Sequence, residues 1–246
     1  LLTIMNMQIR GNVKRNWIIN ENNTSKKIIN YDDLIIPICN QNNEEAIILA
    51  VPYLRNDSVQ GSNYSEGVNN FLRELTNHAR QLHPNKPIIM MAHMYAKGAE
   101  IALKDASEKI VVGGQEEVGL EEGEHPDYLT CGHIHKRQRV WGTTWARYTG
   151  SVLPMSFAEK DYTHGVDLIL WEEGKLSVEQ LVYTPQHKLC ILPENDEELT
   201  PKKLEKMIHQ KLKERTGEKL DENFDFSKIY EGKDSNLVVS EFRNLE

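Results

Sequence analysis

Two histidines directly follow an apolar segment, in the order Gly132-His133-Ile134-His135 after Tyr128-Leu129-Thr130-Cys131. Residues i and i+2 of an extended chain lie on the same side, so both imidazoles can face one pocket, and Gly132 leaves room for close approach. A second apolar segment, 87–92, also ends at a histidine, His93. Neutral imidazole is a good ligand for Mn, Fe and Zn ions. Each histidine alone would more often be an ordinary polar residue, but their shared position at strand ends predicts a metal site.

The residues alone leave the kind of metal site open. Three histidines can complete a mononuclear zinc site with water as the fourth ligand. They can equally form half of a two-metal site that clamps a phosphodiester and activates water. His125 and His164 lie in polar loops and receive no role. Ser151 has no evident histidine base by motif, which disfavours a serine nucleophile.

Composition excludes some classes of protein. The chain has 246 residues, 39% hydrophobic content and a formal net charge of −8. No segment approaches the ~20 apolar residues of a membrane span, and three cysteines in apolar surroundings predict reduced thiols in the cytoplasm. The negative charge disfavours a general nucleic-acid coat. It permits a DNA enzyme with a local basic path, for which Lys136-Arg137-Gln138-Arg139 is the candidate; a solvated loop is an equally good interpretation.

The pattern along the chain predicts an α/β fold with hairpins. Short, β-branched segments predict strands at 34–38, 46–51, 87–93 and 128–131, and Pro37 places the first at a sheet edge. Ser65 is the expected cap of a helix whose apolar face extends to Leu82. Hairpins are expected at 139–148 and 166–183, and a boundary at 184–185. Beyond it, we expect a strand at 188–192, a helix from Thr200 to Gly217 and a strand at 237–239. The first 30 residues and the long loop 98–124 receive no element.

Several of these segments together resemble one family. Gly132-His133-Ile134-His135-Lys136, Tyr148-Thr149-Gly150-Ser151 and Ser156-Phe157-Ala158-Glu159 look like segments of the nuclease subunits of SbcCD-type complexes, which are calcineurin-like metallophosphoesterases. Met91-Ala92-His93 with Val112-Gly113-Gly114, and residues 50–55, are similar to further segments of that family. The resemblance covers most of 30–183. A weaker one relates 184–246 to the start of a DNA-capping domain.

The resemblance implies a fold, a cofactor and partners. The fold would be a partial metallophosphoesterase β-sandwich flanked by helices (1–183) plus part of a small α+β capping domain (184–246). The family binds two divalent ions, which we expect to be manganese. His93 and His133 would be ligands of one ion, and His135 would be a ligand of the other. Lys136, Tyr148 and Ser151 would lie near the DNA phosphate. The family cuts DNA at double-strand ends, together with an SbcC-type ATPase subunit. The resemblance therefore also implies a homodimer within that complex, a cytoplasmic location and no binding to a membrane.

The chain departs from the family in its acidic ligands. The Asp-x-His motif, the bridging Asp and the Gly-Asn-His-Asp motif are absent, and with them the histidine general acid, so no catalytic residue is assigned. We therefore expect an N-terminally truncated chain that is inactive by itself. Two alternatives stay open: a non-catalytic module that binds an ATPase partner or DNA, and a phosphodiesterase of the same fold that acts on small molecules. The DNA-type motifs near Gly150 and Phe157 argue against the second alternative.

Overall fold

The computed structural model describes residues 7–19, 23, 25–100, 117–184, 189, 191–193 and 200–216. The chain divides into two compact units, Leu1–Gln186 and His187–Glu246. Their assignment to a nuclease domain and a capping domain, with the boundary at 183/184, stays a prediction. Val112-Gly113-Gly114, residues 188 and 190 of the predicted strand 188–192, Gly217 and 237–239 lie outside the described residues.

A six-stranded mixed sheet forms the centre of the first unit, in the order β3-β4-β5-β6-β8-β7. β4, β5, β6 and β8 are parallel, and β3 and β7 pair antiparallel at the two edges. The strands are β3 (Ile35–Cys39), β4 (Glu45–Ala50), β5 (Ile88–His93), β6 (Tyr128–Gly132), β7 (Gln138–Arg139) and β8 (Ala146–Tyr148). The strands expected from the apolar segments are confirmed, and β3, which carries Pro37, is at an edge as predicted. This mixed α/β architecture agrees with the predicted fold class.

Helix α1 (Tyr64–Leu82) covers the sheet with one apolar face. Val68, Phe71, Leu75 and Ala79 are buried in the same core as the strand residues. The helix begins earlier than predicted, because the Asn63 side chain accepts from Glu66 N at 2.9 Å while Glu66 accepts from Ser62 N, an arrangement like a capping box. The predicted cap, Ser65, instead accepts from Gly119 N at 3.0 Å. Leu82, expected on the apolar face, is 52% exposed.

Two hairpins accompany the central sheet. β9 (Gly165–Glu172) and β10 (Lys175–Val182) pair antiparallel, which confirms the predicted hairpin. Their turn has positive φ at both Glu173 and Gly174, as two-residue turns of this hand require. β1 (Arg15–Ile19) and β2 (Ser25–Ile29) form a hairpin that the sequence did not predict. Trp17 and Ile19 are 65% and 72% exposed there, so no alternating buried pattern marks the strands.

The predicted hairpin at 139–148 exists, but its strands are shorter than expected. Trp141 lies in the turn and is 64% exposed rather than paired. In the second unit, α2 (Pro201–Thr216) follows Thr200 as predicted. Among the described residues, no helix has the length and apolar character needed to cross a membrane.

Candidate metal centre

Neighbouring parallel strands bring His93 and His133 together. In the register of β5 and β6, His93 pairs with Gly132, so His133 leaves the sheet beside the His93 ring. The two imidazole centroids are 5.3 Å apart and the rings meet edge to face at 68°. The strand-end argument thus predicted this pair correctly, because the carboxyl ends of parallel strands meet at one sheet edge.

The backbone at this pair is unusual in two ways. His133 has φ of +101°, which costs a residue other than glycine on the order of 1–3 kcal/mol. A Cβ on Gly132 would lie 3.0 Å from His93 Nδ1, so only glycine permits this close approach without movement of the ring. Backbone strain of this kind clusters at functional sites. The expectation that 133 and 135 share one side of an extended strand is wrong, since β6 ends at Gly132 and the chain turns at His133.

Aromatic rings border the histidine pair. Tyr53 lies 6.0 Å from His93 and Tyr95 lies 6.1 Å from His133, measured between ring centroids. Partial desolvation lowers the pKa of His93 below its usual value, with smaller contributions from the nearby His133 and His135. Burial, followed by the carboxylate of Glu117, raises the pKa of Tyr95. The lowered pKa favours the neutral form of His93, which is the form that binds metal ions.

His135 is held by a buried carboxylate that the sequence analysis did not assign. Its Nδ1 lies 2.8 Å from Glu159 Oε1, and Glu159 is only 2% exposed. Glu159 also accepts from Met155 N at 2.9 Å. A histidine that donates one ring N–H to a carboxylate presents the other nitrogen as a ligand, as metal-binding histidines commonly do. The signal in the sequence was a glutamate in an otherwise small and apolar segment, but a separation of 24 residues gives no spacing rule to connect it to His135.

Ser151 and His164 belong to the same polar cluster. Ser151 Oγ lies 3.5 Å from Glu159 Oε2 and 3.2 Å from His164 Nδ1. His164 is 4% exposed and its Nε2 lies 3.3 Å from Glu159 O, so it is a buried residue rather than a polar residue of an open loop. The histidine neighbour of Ser151 was also missed. Because His164 is buried and faces carbonyl oxygens of this loop, we assign it to loop stability rather than to base catalysis.

Tyr148 supports the centre from inside the core. It is 0% exposed, its hydroxyl donates to Met94 O at 2.9 Å, and it accepts from Ala96 N at 2.7 Å. A residue without exposed surface cannot touch a phosphate from this position. The expected substrate contact of Tyr148 is therefore replaced by a positioning role for the segment that follows His93.

The basic path after the two histidines is largely paired within the chain. Lys136 Nζ bonds Glu100 Oε2, and Arg137 Nε donates to Asp167 Oδ1 at 2.8 Å. The Asp167 side chain is 1% exposed and also accepts from Tyr128. Arg137 therefore ties the loop to β9 rather than facing a ligand. Lys136, whose side chain is 41% exposed in a surface pair, still suits a phosphate contact because such pairs are weak.

The donor set fits a metal ion in part. In the described ranges, no group of three His, Cys, Asp or Glu side chains is arranged to hold one ion. His93 and His133 lie close enough to act as two ligands of the same ion, and His135 presents a further nitrogen with a carboxylate behind it. Imidazole ligands carry no negative charge, so these three side chains do not offset the charge of two dications.

Histidines at the ends of parallel strands, in a mixed sheet with helices on its surface, match a partial metallophosphoesterase-like α+β fold. Comparison with curated proteins agrees. The chain is 30% identical over 161 residues to the SbcD subunit of the nuclease SbcCD from Escherichia coli K12, which covers 60% of this chain and 40% of that protein. It is 29% identical over 141 residues to the same subunit of Rhodobacter capsulatus and 24% identical over 119 residues to that of Staphylococcus epidermidis. The chain is thus similar to SbcD subunits over about half of its own length.

The extent of these matches is limited. The chain spans 40% of the Escherichia coli protein, 33% of the Rhodobacter capsulatus protein and 30% of the Staphylococcus epidermidis protein. No protein-family model matches the chain.

Proposed function

We propose that this chain is part of a metal-dependent nuclease subunit that hydrolyses phosphodiester bonds at DNA double-strand ends. The proposal is based on one observation. In a chain similar to SbcD subunits, the rings of His93 and His133 lie next to each other at the carboxyl ends of the parallel strands β5 and β6. An SbcC-type ATPase subunit, a homodimeric assembly and a cytoplasmic location follow from the same relationship and are part of the proposal.

The residues of this chain would act by holding ions and phosphate in place. Neutral His93 and His133 would donate lone pairs to one divalent ion, for which we propose manganese, and His135 would donate to a second. When bound, such ions polarise a phosphodiester and lower the pKa of a coordinated water. Lys136 would add a cation beside the phosphate, and Ser151 would fix the turn behind it.

The same donor set argues that the chain alone is a weak catalyst. Imidazoles carry no negative charge, and two dications held close together repel one another strongly in a desolvated site. Carboxylate ligands normally remove that repulsion. The expectation of little activity in isolation thus has a physical basis, and it keeps the non-catalytic DNA-binding alternative open for this chain.

A cleavage assay on end-labelled linear duplex DNA with Mn²⁺ tests the proposal, with His133→Ala and His83→Ala as matched variants. His83 is the C-cap residue of α1, whereas His93 ends β5 and His133 follows β6. Cleavage that disappears in His133→Ala but persists in His83→Ala would support the nuclease. DNA-end binding without cleavage would favour the non-catalytic alternative. Neither cleavage nor binding by a folded chain would contradict the proposal.

A further inference from the structure

We propose that Glu159 is a positioning residue that fixes His135 in the tautomer with the proton on Nδ1, so that Nε2 is the nitrogen offered to a divalent cation. The inference deepens the proposed function and rests on it for the identity of the cation. It concerns the side chain behind the histidine rather than the ligand itself.

The contact between the two side chains defines the tautomer. Glu159 Oε1 lies 2.8 Å from His135 Nδ1. An ionised carboxylate can only accept hydrogen bonds, so Nδ1 must carry the proton and the neutral ring keeps its lone pair on Nε2. Because Glu159 is 2% exposed, little water competes for this bond.

Further contacts hold the carboxylate in place. Met155 N donates to Oε2 at 2.9 Å. The hydroxyls of Ser151 and Ser156 lie 3.5 and 3.4 Å from its two oxygens. These donors compensate the burial of an acidic group, which is otherwise costly. A carboxylate fixed in this way can orient an imidazole, whereas a mobile surface acid could not.

The same loop also holds the backbone of His135. Ser151 N donates to His135 O at 3.0 Å. Gly150 makes this approach possible, since its φ is +79° and a Cβ there would lie 2.8 Å from His135 O. The segment 150–159 therefore holds His135 at both its backbone and its ring. The sequence motifs around Gly150 and Glu159 therefore both position His135, which a contact with substrate would not require.

The test reads the tautomer of His135 in the metal-free chain, from the ¹⁵N chemical shifts of its ring in long-range ¹H–¹⁵N spectra. The His135→Gln spectrum identifies the signal. In the wild-type chain we expect the Nδ1–H form, and in Glu159→Ala we expect a change to the Nε2–H form. Asp167→Ala is the matched control, because it also removes a buried carboxylate but one that bonds Arg137 and Tyr128. It should leave the His135 tautomer unchanged.

A second readout follows the cation itself. Titration with Mn²⁺ should broaden the His135 ring signals at a concentration about 10–100-fold higher in Glu159→Ala than in the wild-type chain. Asp167→Ala should behave like wild type. If Glu159 had only a structural role, Glu159→Ala would be less stable, but its His135 signals would broaden at the same Mn²⁺ concentration as those of Asp167→Ala.

The outcomes separate the inference from the proposed function. A wild-type His135 with its proton on Nε2 would overturn the inference, and this result does not depend on whether Glu159→Ala folds. An unchanged tautomer in a folded Glu159→Ala would overturn it as well. Whether the chain cleaves or binds DNA instead tests the proposed function, and it does not bear on the tautomer, which is measured without metal or DNA.

Discussion

At the scale of single residues, His133 carries the strongest physical sign of a functional site. A histidine at φ +101° is strained, because only glycine adopts this backbone conformation readily. Natural chains keep such strain where a side chain must be placed for a purpose. The ring contact with His93 is the consequence of that placement.

Replacement of His133 by glycine should therefore stabilise the fold while it removes the ligand. Relief of strain on the order of 1–3 kcal/mol exceeds the entropic cost of glycine of roughly 0.5–1 kcal/mol, so we expect a gain of about 1 kcal/mol. His93→Gly, at a regular position of β5, should instead lose about 1 kcal/mol. Urea unfolding of both variants measures the difference. A His133→Gly variant as destabilised as His93→Gly would show that the strain is not real.

The lowered pKa of His93 predicts how stability depends on pH. The unfolded chain binds a proton at His93 near pH 6.5, whereas the folded chain binds it only at lower pH. Below about pH 6.5 the unfolded state thus binds more protons, and stability falls as the pH falls towards the folded-state pKa. The unfolding free energy of the metal-free His93→Gln variant should therefore fall less between pH 7 and pH 5 than that of the wild-type chain, as measured by urea unfolding. An identical decline in both proteins would contradict the shift.

Sequence reasoning placed His93 and His133 side by side but did not place the residues around them, and their role as metal ligands stays a prediction. Strand ends can be located from apolar segments, and parallel strands bring their ends together by geometry. Glu159 and His164 could not be placed, since they lie in a loop whose path follows from tertiary contacts. Arg137 was assigned to a basic path because the sequence does not show that Asp167 is buried beside it.

At the scale of elements, β8 supports β5 through one hydroxyl group. Tyr148 bridges Met94 O and Ala96 N, and this holds the segment that leaves β5 just after His93. The parallel strands were predictable from their β-branched, apolar composition. This bridge was not, because a tyrosine in a short strand has no spacing that indicates its partner.

Tyr148→Phe should cost about 1–3 kcal/mol of unfolding free energy, since it leaves a buried backbone N–H and C=O without their partner. Tyr183→Phe is the matched control, because Tyr183 is 44% exposed and should tolerate the change. Urea unfolding of both variants compares the costs. Equal, small effects in the two variants would contradict the positioning role of Tyr148.

At the scale of the whole molecule, the first unit combines a mixed sheet, a covering helix and a loop 150–159 that hydrogen-bonds to His135. The strands of the sheet and the second hairpin were largely predictable, because their segments are short, apolar and bounded by turns, but the order of the strands was not predicted. The hairpin of β1 and β2 was not, because its strands are exposed and polar. Within the described residues, His93 and His133 are the parts of the site that the residue pattern and the fold both bring together at the strand ends.

The most direct test of the account is a Mn²⁺ titration of the chain, followed through the ring signals of its nine histidines. Paramagnetic broadening reports which rings lie next to the ion. The account predicts that His93 and His133 broaden together and that His135 follows, all before His78 and His209. Broadening that begins at His78 beside Asp32, while His93 and His133 stay sharp, would contradict a metal centre at the strand ends.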